Sequence, residues 1–201
     1  MRFIIRNIER IVLIFPILLM QLIFVGCNET YAPRPMGYLR FKFPEKTYER
    51  FTLPNGVNFE KPAYMNVRFI ESPQNESWFD MNYPDYKTTI HMSYKPVNNN
   101  FAELVDDAHR FVYQHTIKAS RIDEILINHP ENKTYGIMYR LHGNVASNIQ
   151  FILTDSSGHF LRGSMYIMSK PNEDSLAPII DFTRTDIEYM MKTLHWNNAD
   201  L

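Results

Sequence analysis

A single cysteine, Cys27, excludes any disulfide within this chain of 201 residues, so packing and hydrogen bonding must hold the fold together. Neither sign of charge dominates. Twenty-one Lys and Arg face 22 Asp and Glu for a net charge of −1, and without a basic excess the chain offers no footprint for nucleic acid. No glycine-rich phosphate loop occurs, and no Gly-x-Ser-x-Gly elbow, so the sequence supplies neither a nucleotide cradle nor an activated serine in its usual setting. The 7 histidines include no His-x-His or His-Glu-x-x-His pair, so any metal site would have to be assembled by the fold. Internal repeats and low-complexity tracts are also missing. One domain with a sizeable core is the expectation, since 45% of residues are hydrophobic.

What is present begins at the N-terminus. Arg2, Arg6 and Arg10 precede an apolar run from Ile11 to Val25 that is interrupted only by Pro16 and Gln21. This run is short for a spanning helix, which needs about 20 apolar residues, and it ends in Gly26-Cys27, as in an exported chain cleaved after residue 26. Phe24-Val25-Gly26-Cys27 resembles a bacterial lipobox, in which the cysteine is acylated and becomes the first mature residue. The competing reading is an uncleaved signal anchor with a chance cysteine. Acylation would account for a lone thiol in an oxidising compartment. Pro33, Pro35 and Pro44 make residues 27–50 a poor helix and a plausible tether, whose Phe41 and Phe43 suggest docking on the domain that follows over 51–201.

The strongest local pattern lies between Thr134 and Met168. Tyr135, Ile137, Tyr139 and Leu141 alternate with Gly136, Met138, Arg140 and His142, the period of a half-buried strand. Gly143-Asn144 turns the chain. Ile149, Phe151 and Leu153 alternate in a second strand, Asp155 to Gly158 turns it again, and His159 to Met168 forms a third. Connections this short require antiparallel neighbours. Upstream, Val57–Glu60, Tyr64–Ile70, Trp78–Tyr83 and Thr88–Tyr94 read as strands, and Ile122–Ile127 as a further one.

Two helices complete the pattern. Asn100 and Glu103 form a candidate capping box for a helix running to about Ala119, with Phe101, Leu104, Val105, Ala108, Phe111, Val112 and His115 on one face. A C-terminal helix capped by Asp174 or Ser175 carries Ile179, Ile180, Ile187, Met190, Met191 and Leu194, with Pro178 in its first turn. The expected class is α+β, a mainly antiparallel sheet covered by two long helices in an αβα sandwich. Its element order is similar to that of Mog1/PsbP-type scaffolds.

Blocks scattered along the chain carry a more specific likeness. They are Pro33-Arg34-Pro35-Met36-Gly37-Tyr38, His91-Met92-Ser93-Tyr94-Lys95, His115-Thr116-Ile117-Lys118-Ala119, Gly143-Asn144-Val145-Ala146-Ser147, Gln150-Phe151, Thr154-Asp155-Ser156, His159-Phe160-Leu161-Arg162-Gly163 and Pro171-Asn172-Glu173-Asp174-Ser175. In order and spacing they resemble the gliding motility lipoprotein GldD family of the Bacteroidetes. That resemblance implies a lipid-anchored envelope protein with no enzymatic activity and no cofactor. Its partners would be proteins of gliding motility and type IX secretion, and its place the outer membrane facing the periplasm. Cys27 is the one residue whose role, lipidation, carries over.

For a contact patch the candidates are His91, Tyr94, Lys95, His115, Lys118, Asn144, Asp155, His159 and Arg162. A different class of function remains open on the residues alone: a periplasmic hydrolase, or a small-ligand or metal-binding domain, using a His/Asp/Ser cluster. That reading requires His91, Asp155, His159 and Arg162 to converge in one concave pocket.

Overall fold

The computed structural model describes residues 41–114 and 118–196; Cys27 and His115 lie outside the described residues. A hairpin comes first, β1 (Tyr48–Thr52) paired antiparallel with β2 (Asn58–Pro62). Then follow β3 (Asn66–Ile70), β4 (Ser77–Tyr83), β5 (Thr88–Pro96) and helix α1 (Phe101–Tyr113). The second half comprises β6 (Arg121–His129), β7 (Thr134–His142), β8 (Ile149–Thr154), β9 (His159–Ile167) and helix α2 (Glu173–Lys192). The large sheet has seven strands in the order β3-β4-β5-β9-β8-β7-β6, every neighbouring pair antiparallel. The class is α+β, as the sequence predicts.

Period-two patterning decides which helix covers which face. Phe79, Met81, Tyr83, Ile90, Met92, Phe151, Leu153, Leu161 and Met165 point to one side and meet Ile179, Ile180, Ile187, Met190 and Met191 of α2, forming the main core. The opposite side receives α1, whose Leu104, Ala108 and Val112 pack on Ile152, Phe160, Tyr139 and Leu141. Gly163 is a closely packed point of the main core. It stands opposite Phe151 in the β8–β9 register, and a Cβ there would overlap the Phe151 ring.

Several local expectations are corrected. Helix α1 ends at Tyr113, short of Ala119, and no capping box forms, because the Asn100 carboxamide turns back to accept from the Asn98 N–H. The cap of α2 is Asn172, whose side chain accepts from Ser175 N–H at 3.0 Å. Starting the helix at Glu173 puts Pro178 in its second turn, where the missing N–H leaves the Asp174 carbonyl without that helical bond. Strand β3 starts at Asn66, because Tyr64 belongs to the preceding turn and sends its hydroxyl to Asp186.

That carboxylate is the polar centre of the main core. Asp186 of α2 is buried and accepts from Lys46 Nζ at 2.6 Å, Tyr48 at 2.9 Å, Tyr64 at 2.8 Å and Tyr83 at 3.1 Å. Three chain segments thus converge on one side chain of α2. Phe43 stacks on Phe182 at 4.3 Å and Lys46 lies over the same ring at 4.0 Å, so the residues ahead of β1 are held against α2.

The tyrosines make this cluster sensitive to alkali. Burial first, and then Asp186 through its charge and hydrogen bonds, pushes the phenols of Tyr48, Tyr64 and Tyr83 well above the ordinary 10.0. A group whose folded pKa is raised keeps its full contribution below the unfolded pKa and loses it as pH rises towards the folded value. Stability is therefore expected to fall from about pH 10 upwards, by about 1.4 kcal/mol per pH unit for fully buried Tyr83 alone. Urea titrations at a series of alkaline pH values check this. Tyrosinate absorbance should appear together with unfolding, and a smooth titration of these phenols in the folded protein would refute it.

Candidate functional site

Helix α1 covers only part of its face of the sheet. Over β6 to β9 it is packed; over β3, β4 and β5 the face stays open, and a groove of about 620 Å³ runs between the helix and those strands. Period two again selects what lines it. Trp78 and Asp80 come from β4, His91, Ser93 and Lys95 from β5, and Arg162, Ser164 and Tyr166 from β9, while the residues between them face the main core. The helix contributes Asp107 and Phe111. Phe111, expected in the apolar stripe of α1, is 41% exposed because it forms the groove's wall.

The charges of the groove are unequally satisfied. Asp80 is buried and bonded by Arg68 Nη2 at 2.7 Å and His91 Nδ1 at 2.6 Å. Burial works to raise its carboxyl, but the hydrogen bonds from Arg68 and His91 outweigh that and hold it below the ordinary carboxylate range. Asp107 is held by Arg110 at 2.5 Å. Lys95 has a loose partner in Glu76 at 3.8 Å. Arg162 has none of this kind. Its guanidinium lies over the Phe111 ring at 4.2 Å and donates to the Ser164 hydroxyl at 3.3 Å, and no ion pair reaches it among the described residues.

The remaining candidate residues are dispersed. Tyr94 and His159 lie on the α2 side of the sheet, bonded to each other at 2.8 Å, with the imidazole stacked on Trp196. Asp155 closes the β8–β9 turn by accepting from the N–H groups of Ser157, Gly158 and His159 and from the Ser157 hydroxyl at 2.6 Å. Burial opposes its ionisation, yet these four bonds hold its carboxyl below the ordinary range. Ser156 adopts a φ of +68° in that turn, and neither it nor Asp155 engages the His159 ring. Asn144 accepts from the N–H of Glu173 at the start of α2. Lys118 is exposed between α1 and β6. His142 bridges Glu173 at 2.7 Å and Asp123 at 2.9 Å, so it serves the junction of β6, β7 and α2.

The structure therefore brings His91, Lys95 and Arg162 together and leaves Tyr94, Asn144, Asp155 and His159 outside the groove. The convergence of His91, Asp155, His159 and Arg162 that a hydrolytic or ligand-binding cluster requires does not occur. Asp80, Trp78 and Phe111 complete the groove and were not among the sequence candidates. Asp80 had a usable signal, an acidic residue between Phe79 and Met81 in a run that reads as a strand.

None of the curated proteins compared with the chain matches it. The family model described as gliding motility lipoprotein GldD matches residues 28–196. That span takes in both helices, the hairpin and the whole seven-stranded sheet, and the chain belongs to the gliding motility lipoprotein GldD family.

Proposed function

We propose that the protein is a non-enzymatic accessory component of gliding motility and type IX secretion, held at the cell envelope by acyl chains such as palmitate on Cys27. The observation that carries this reading is the family match over residues 28–196. Cys27 immediately precedes the matched span, following the basic and apolar segments of an export signal. Among the described residues no helix is long and apolar enough to cross a membrane. Acyl chains supply the attachment in this reading, each buried methylene contributing about 0.8 kcal/mol. The outer membrane facing the periplasm is the proposed location.

The domain's part is to dock a protein partner, and the open face bearing His91, Lys95 and Arg162 is the proposed contact. Of the other candidates, Tyr94, Asn144, Asp155 and His159 have internal hydrogen bonds that give them structural work.

Affinity isolation of the tagged, lipidated protein from mildly cross-linked native envelopes, with Cys27→Ala alongside, tests the reading. The wild type is expected to return gliding and secretion proteins, and the Cys27→Ala chain to lose most of that recovery and to shift into the soluble fraction. A wild-type protein recovered alone would refute the accessory role.

A further inference from the structure

The Arg162 guanidinium is a fixed cation whose close partners are neutral. Its planar group lies over the Phe111 ring and is tied to Ser164, whose hydroxyl in turn donates to Gln150 at 3.5 Å. Asp107, which acts on it through space, already has Arg110. A half-buried guanidinium held in one orientation is a ready acceptor site for a carboxylate, because the entropy of fixing its long side chain has already been lost. Around it lie Trp78, Phe111, Phe160 and Tyr166, apolar or aromatic surface that a purely ionic ligand would not use.

Shape narrows the ligand. The groove crosses from β9 through β5 and β4 to Ile70 on the edge strand β3. Three inter-strand spacings make that about 14 Å, the length of about four residues of extended chain. With Asp80 neutralised by Arg68 and His91, the charge left in the groove is that of Arg162 and the loosely paired Lys95.

We propose that this groove binds an extended segment of a protein partner in which an aspartate or glutamate is flanked by apolar side chains, the carboxylate seated on Arg162 and its neighbours against Trp78 and Phe111. This rests on the reading that the domain docks a protein, and it specifies the chemistry of what is docked. Arg162 thereby becomes the specificity-determining residue, since an amide in place of the carboxylate would leave its charge desolvated and unpaired.

The test uses the purified full chain in detergent and acetylated pentapeptide amides with aspartate or glutamate at the centre and phenylalanine, leucine or valine on either side. A matched set carries asparagine or glutamine at the centre. The chain has two tryptophans, and Trp196 is 7% exposed on the far side of the sheet, so a change in fluorescence on titration reports Trp78. Saturable binding is expected for members of the acidic set at concentrations up to ~1 mM, with the amide counterparts weaker by about tenfold to a hundredfold.

Arg162→Gln should produce the same loss. Ser93→Phe, which fills the groove from its floor, leaves Arg162 in place and adds no tryptophan, should abolish binding at an unchanged far-ultraviolet spectrum. No saturation across the acidic set, equal affinity for the amide set, or indifference to both substitutions would overturn the proposal. Phenylacetate binding as tightly as the best peptide would overturn the assignment to a peptide. Because the titration needs no motility protein, its failure removes the groove alone, and the affinity isolation decides the accessory role separately.

Discussion

Asp186→Asn is expected to lower the stability of the domain by about 3–5 kcal/mol, because three phenolic hydrogen bonds to a buried carboxylate are weakened and half-buried Lys46 loses its ion pair. The substitution keeps the shape and removes the charge. Lys46 is then left with no carboxylate at 2.6 Å, the hydroxyls of Tyr48, Tyr64 and Tyr83 lose the ionised acceptor, and the new amide brings donors into a site where every neighbour already donates. Set against a total of about 5–15 kcal/mol, this is a large fraction of the stability, and the melting temperature should fall by about 10 °C or more. Lys46→Met should cost less, because the Lys46 side chain is 30% exposed and its removal leaves Asp186 with three phenolic donors. Urea denaturation of the two variants gives the comparison. An Asn variant as stable as the wild type would mean that Asp186 is not what binds these three segments to α2.

Gly163→Ala is the second large effect. A methyl group at this position overlaps the ring of Phe151 across the β8–β9 pair, and the ring is itself 1% exposed among core side chains, with no free space to retreat into. Overpacking of this kind costs about 3 kcal/mol at its upper end. The origin of the cost is tested by a double-mutant cycle. In a Phe151→Leu background the same Gly163→Ala change should cost about 1 kcal/mol or less, a coupling of about 2 kcal/mol between the two positions. Additive losses would place the strain in the backbone instead of at the ring.

Legibility in the sequence followed the strength of the local period. β7 alternates along its length, and β7, β8 and β9 are joined by short turns whose residues adopt positive φ, at Gly143 and Ser156, so both their existence and their pairing could be read directly. β1 could not. Its Tyr-Glu-Arg-Phe-Thr has no alternation of buried and exposed positions, and it is a strand because α2 and β2 give it a surface, with Tyr48 stacked on Tyr189 at 3.9 Å.

Asp186 was within reach of sequence reasoning. It falls on the stripe that Phe182, Ile187 and Met190 define, and a carboxylate on the apolar face of a helix calls for partners. The tyrosines that answer come from segments more than a hundred residues away, which no spacing rule could have paired with it. The groove was half legible. His91, Lys95 and Arg162 stood out as polar residues on strands, but that they share an open face depends on where α1 lies across the sheet, and this is set by packing on Ile152 and Phe160. Tyr94 and His159 illustrate the same limit, since one register step puts each on the covered side.

The strand order has a kinetic consequence. The seven-stranded sheet is two meanders, β3 to β5 and β6 to β9, joined at β5 and β9, and even the closest pair across that seam, Pro96 with His159, is 63 residues apart in the chain. Closing a loop of that length costs about 3.7 kcal/mol in chain entropy, against about 1.2 kcal/mol for a four-residue turn. Each meander can therefore assemble on its own before the two are zipped together, and the seam is expected to be the late step of folding. The groove straddles it, with His91 and Ser93 on one bank and Ser164 and Arg162 directly opposite on the other. Neither half contains the site, and it comes into existence only when the last pair of strands has closed.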